Sequence, residues 1–138
     1  AGGRGQPKKH ASASVASQSI HVSARKGNVA AVRRLLERGA SVDERAKDTG
    51  KTPLHVACQF GELNVAKLLL EFGADIEARC AHSRTPLHLA AAQGHQEVVE
   101  LLVKSGAQRH AVTPGGETPR DLSKKYKYKS VAKMLKKP

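Results

Sequence analysis

Apolar residues return along this chain in blocks of one design. Four, five, eight and nine places after Gly27 stand Ala31, Val32, Leu35 and Leu36. The same places after Gly61 hold Val65, Ala66, Leu69 and Leu70, and after Gly94 they hold Val98, Val99, Leu102 and Val103. That spacing gathers apolar side chains on one side of a helix. A further glycine twelve residues on, Gly39, Gly73 or Gly106, stops each helix, because glycine enters the left-handed conformation that ends a helix tightly. A shorter apolar segment precedes Gly61 and Gly94, and each is entered through Thr-Pro. The threonine oxygen can cap the first turn, and proline at the first helical position has no N–H to leave unpaired. Between these helix pairs lie polar stretches with one apolar anchor, Val42 or Ile76. Asp48-Thr49-Gly50 and Pro114-Gly115-Gly116 carry turn chemistry. The pattern predicts helix, turn, helix, then an extended finger. The first finger is one residue longer than the second, an insertion that an exposed turn tolerates.

The blocks are copies. Thr52-Pro53-Leu54-His55 and Thr85-Pro86-Leu87-His88 are 33 residues apart, and the partial copy Thr118-Pro119-Arg120-Asp121 follows after another 33. A fixed period of this length means one supersecondary unit repeated along the chain. Each unit then touches only its neighbours.

Thr85 to Ala107, TPLHLAAAQGHQEVVELLVKSGA, resembles an ankyrin repeat at almost every position. The resemblance covers about 18–136 and implies an all-α solenoid of stacked helix–turn–helix units with projecting β-hairpin fingers. Residues 1–17 read as a basic leader, and the repeats as about 18–45, 46–79, 80–112 and 113–138. The first resembles a capping repeat through Ser23-Ala24-Arg25-Lys26-Gly27-Asn28. The fourth departs from the pattern: Arg120 replaces the leucine, Lys127 the glycine, and Lys136 takes a core place on the second helix. One polar face is what an end unit needs. Arg109 replaces the third finger's apolar anchor, which predicts either a looser finger there, the reading preferred, or an arginine reaching out to a partner. The resemblance also allows hydroxylation at the finger starts, Asp43, Glu77 and His110.

Composition narrows the chemistry. At 138 residues the chain is one domain by length, and with 3% aromatics and no tryptophan its core must be aliphatic. No run approaches the roughly 18 apolar residues of a membrane span. Cys58 and Cys80 form neither a disulfide framework nor a CxxC site, which fits a reducing cytoplasmic or nuclear setting. Cys58 is expected in the core and Cys80 in an exposed loop. In the ankyrin motif His55 and His88 are implied to be structural. His82, His95 and Cys80 lack zinc-ligand spacing. Gly50-Lys51-Thr52 imitates the end of a phosphate loop, but Arg45 stands where the first glycine should be. No catalytic residues, metal or cofactor are expected, and the expected role is a monomeric, non-catalytic adaptor for another protein.

The resemblance implies recognition through a concave face of finger tips and first helices. The repeat register puts Arg25, Lys26, Gln59, Phe60, Ala92, Gln93, Lys125 and Tyr126 on its helices. Its fingers would present Arg45, Lys47, Lys51, Arg79, His82, Arg84 and Thr113. Such a face is basic, with aromatic anchors, and predicts an acidic partner segment.

The net charge of +12 sits mostly at the ends: +3 in residues 1–17, +2 across 18–117 and +7 in 118–138. Lys124, Lys125, Lys127, Lys129, Lys133, Lys136 and Lys137 surround Tyr126 and Tyr128. Two readings stand. The cluster is a footprint for nucleic acid or anionic lipid, or it is the solvated face of a capping unit with lysines favoured near a helix C-terminus.

Overall fold

Residues 20–136 are described by a computed structural model. The expected all-α architecture is what it shows. Eight helices follow in pairs: α1 over 20–26, α2 Val29–Glu37, α3 Pro53–Gln59, α4 Leu63–Glu71, α5 Pro86–Ala92, α6 Gln96–Lys104, α7 Pro119–Lys125 and α8 Lys129–Met134. The leader at 1–17, Lys137 and the outer ends of the first and fourth expected repeats lie outside the described residues.

Two helix layers form. In one, α5 packs between α3 and α7; in the other, α2, α4, α6 and α8 pack in order. One aliphatic seam joins the layers, with Ile20, Val32, Leu54, Val65, Leu69, Leu87, Val99, Leu102 and Leu135 fully buried within it. The four-residue stripe read from the sequence is this seam. Lys136 is a correction. It is exposed, because α8 ends at Met134 and the chain has left the helix before that position.

Helix starts follow the local chemistry. Thr52, Thr85 and Thr118 are extended N-caps whose hydroxyls accept from the N–H of His55, His88 and Asp121, with proline first in each helix. The second helices α4, α6 and α8 have no side-chain cap. Their N-cap residues cover glycines of the repeat before instead. A Cβ on Gly27 would meet Glu62, one on Gly61 would lie 2.7 Å from the His95 ring, and one on Gly94 would run into the Tyr128 ring. The equivalent of these glycines in the fourth repeat is Lys127, which keeps the left-handed backbone at φ +67°.

Each finger is a hairpin reduced to its turn, and no strand occurs among the described residues. The Ala46 N–H donates to Lys51 O, Cys80 to Arg84 O, and Thr113 to Glu117 O. The first closure spans one more residue, so the insertion lies within 47–50. The third finger closes like the others, with Arg109 half-buried at the anchor position. Cys80 is buried, not exposed, because the turn folds it inward as its N–H closes the finger.

Neighbouring fingers are tied in three ways. Arg45 Nη1 donates to the carbonyl of Arg79, and Arg79 Nη1 to that of Val112. The Asp75 N–H donates to Asp43 Oδ1 and the Gln108 N–H to Glu77 Oε2. Deepest are the imidazoles: His21, His55 and His88 place Nε2 at 2.9, 2.9 and 3.0 Å from the carbonyls of Lys51, Arg84 and Glu117. Each histidine therefore belongs to one repeat and holds the finger of the next.

Candidate protein-binding face

The last residue of each first helix, or the cap just after it, forms one register across the molecule: Lys26, Phe60, Gln93 and Tyr126. All four are exposed. Phe60 and Tyr126 are 45% and 47% exposed, high values for rings that the aliphatic core could have absorbed. They stay outside because a C-cap position points away from the seam, and each first helix has only seven residues, as in α3, α5 and α7.

Cations flank this row. Arg25 is exposed at the end of α1. Lys51 is half-buried, and its Nζ donates to Gln59 Oε1 at 2.6 Å, orienting both side chains. Arg84 is also half-buried, and with His82, Thr113, Pro114 and Glu117 it lines an open cleft of about 440 Å³ between the second and third fingers. Lys47 is exposed near the first finger tip. At the far end Lys125 is exposed, lies 3.8 Å from Glu117 and sits over the Tyr126 ring at 5.6 Å. Glu117 is thus the one carboxylate paired to this row among the described residues.

The expected face needs two corrections. Ala92 is buried, since α5 is packed on both sides by α3 and α7 and a methyl at that place has no reach beyond the contact. Thr113 is buried because its N–H closes the third finger and its hydroxyl accepts from the Glu117 N–H. Arg45 and Arg79 are exposed, yet each already gives Nη1 to two carbonyls, one in its own finger and one in the next. Their guanidinium planes are thereby held in line along the fingers.

His21 is the functional tie that sequence reasoning missed. It lies 34 residues before His55, so the repeat spacing marks it even though Thr-Pro-Leu is missing around it. The fourth unit carries Asp121 at this place. Its carboxylate accepts from the Thr118 N–H at 3.0 Å, which holds its pKa below the usual range.

His55 and His88 are engaged at both ring nitrogens. His55 Nδ1 accepts from the buried Thr52 N–H at 3.1 Å, so the proton must sit on Nε2, which donates to Arg84 O. A second proton would face the Thr52 N–H. Burial, reinforced by the charges of Arg45 and Lys51 and opposed by the bond to Arg84, lowers the pKa from 6.5 to about 4. His88 has the same partners in its own repeat and shifts the same way, again mainly through burial. Burial drives the Cys58 thiol far above its ordinary range, which leaves it inert. No group of three His, Cys, Asp or Glu side chains placed to hold a metal occurs among the described residues. No described helix is long and apolar enough to cross a membrane.

Comparison with known proteins agrees with this geometry. A family model described as ankyrin repeats, in three copies, matches residues 9–80, and a single ankyrin-repeat model matches residues 82–114. No curated protein matches the chain.

Proposed function

The chain belongs to the ankyrin-repeat family, whose repeats are generally protein-interaction modules, and from that premise we propose that it is a non-catalytic adaptor. The partner contributes an acidic segment with at least one apolar side chain. It lies along the concave face, across Lys26, Phe60, Gln93 and Tyr126. The observation that carries this reading is that row itself: two exposed rings in register, flanked by Arg25, Lys51 and Arg84. Aromatic and arginine side chains dominate interface energetics. The fingers are already tied to one another, so binding orders little and loses little entropy. Cationic flanks steer an acidic segment and make association fast and salt-sensitive. The two free, buried cysteines support a reducing compartment, cytoplasm or nucleus, as the setting we propose.

The test pairs Phe60→Ala with Arg84→Glu. Phe60 is 45% exposed and Arg84 half-buried, and neither belongs to the aliphatic seam, so the double variant keeps its melting temperature. Proteins captured from lysate by the wild type, and an immobilised peptide set of alternating acidic and apolar residues, lose affinity by 10-fold or more, the loss expected for one anchor. Equal retention by wild type and variant removes this face from the assignment.

A further inference from the structure

The fourth unit carries a second surface with different chemistry. Lys124, Lys127, Lys129, Lys133 and Lys136 are exposed, and none has a carboxylate within ion-pair distance among the described residues. Lys129 and Lys133 are four residues apart on α8 and share one face of it, and Lys136 follows just past the helix end. A solvated cap needs polar residues, but it does not need them all of one sign. The nearby acid, Asp121, has its carboxylate turned to the Thr118 N–H.

Aromatic rings are set among these charges. The Tyr128 ring lies against Gly94, whose missing side chain makes room for it, and it remains 38% exposed. It is therefore supported from behind and open in front. A cleft of about 320 Å³ adjoins it, lined by Gln96, Lys127, Tyr128, Lys129 and Ser130. Tyr126, two residues away, is exposed too. Val131 and Gly94 complete its lining, so the groups around it are a ring face, an amide, a hydroxyl, two ammonium groups and one mostly buried isopropyl group.

We propose that this surface binds a single-stranded polynucleotide, with one base stacked on Tyr128 in the cleft and the phosphates following Lys127, Lys129, Lys133 and Lys136. An aromatic platform beside a cationic track is what an unpaired strand uses, since every base has a π face. A duplex offers no free base face, and α8, with six residues packed on α6 and α7, is not free to enter a groove. A lipid surface would be met by aliphatic side chains beside the lysines. Here Val131, Ala132 and Leu135 are buried in the seam, and the large exposed apolar side chains of this unit are the two tyrosines.

The chain has two tyrosines, Tyr128 in this cleft and Tyr126 beside it in the adaptor row, and no tryptophan, so emission lost in a Tyr126→Phe protein reports the site. The probes are 12-mers of oligo(U) and oligo(dT), the matching duplex, phosphatidylserine vesicles and poly-glutamate. Either single strand is expected to bind and quench tyrosine emission, and the two arms tell RNA from DNA. Tyr128→Leu keeps an apolar group over Gly94 while removing the π face, and it should weaken binding by about 5- to 100-fold. Replacing Lys127, Lys129 and Lys133 by Gln should flatten the slope of log K against log salt by about 2. The Phe60→Ala, Arg84→Glu protein should bind the strands undiminished, which separates this surface from the adaptor face. Binding by duplex or vesicles at the same strength, binding of poly-glutamate at the same strength by the Phe60→Ala, Arg84→Glu protein, an unchanged emission on binding, or an affinity untouched by Tyr128→Leu would each overturn the proposal.

Discussion

The internal repeats and the fourth unit share a backbone but obey different constraints. At equivalent places the internal repeats hold His55 or His88, Gly61 or Gly94, and Leu54 or Leu87. The fourth unit holds Asp121, Lys127 and Arg120. Two of these places, the histidine and the glycine, make a contact with the following repeat in the internal copies. The histidine Nε2 reaches the next finger, whereas the aspartate carboxylate accepts from the Thr118 N–H of its own unit. The glycine makes room for the next repeat's ring, whereas at Lys127 no described residue requires that room. Arg120 turns its Nε to Ala132 O at 3.2 Å, serving its own unit. The fourth copy keeps the Thr-Pro cap that starts a unit; it differs at the histidine and glycine places, which join one internal copy to the next.

The sharpest way to break this comparison is acid. The unfolded chain protonates its histidines near 6.5, but folded His55 resists to about 4, so the unfolded state binds the proton first. Stability is intact above pH 6.5 and falls as the pH drops towards 4. His55 alone accounts for about 3 kcal/mol over that window, and His88 adds to it in the same direction. Urea unfolding at pH 7 and pH 4 measures the loss. In a His55→Gln, His88→Gln protein, the drop between the two pH values should shrink sharply even though the starting stability is lower.

A smaller effect should come from glycine. Gly94→Ala meets both a φ of +73° and the Tyr128 ring, and should cost about 2–3 kcal/mol. Gly73→Ala has a φ of +86° and no atom within 4 Å, and should cost only about 1 kcal/mol. Equal losses in denaturant melts would mean that ring stacking on Gly94 contributes nothing.

The smallest effect has the opposite sign. Lys127 and Ser83 hold left-handed backbone at φ +67° and +59° without being glycine. Lys127→Gly and Ser83→Gly should each stabilise by up to about 1 kcal/mol, read as a rise in melting temperature. A fall at Lys127 would mean that its side chain makes contacts that outweigh the strain.

The stripe from Val65 to Leu102 and the Thr-Pro caps were legible because their causes are local: side-chain spacing on one helix and hydrogen bonds within one turn. His21 escaped notice since nothing beside it looks like the motif, and its partner, Lys51 O, is 30 residues away. Ala92, Thr113 and Cys80 were expected at the surface and are buried, because burial there depends on which element lies alongside. Arg45 and Arg79 read as free cations, but the neighbouring finger supplies the carbonyls that hold them. Exposure at Phe60 and Tyr126 was legible from register alone, since a C-cap position keeps its direction in every copy.

Periodicity alone determined the units, their order and the side each helix turns to its neighbour, because a repeated spacing repeats the same local energetics. Contact between copies decided the rest: which imidazole holds which finger, which methyl is covered, and which lysines lack a carboxylate within reach. Those outcomes depend on distances between atoms some 30 residues apart, and these exist only once the stack has closed.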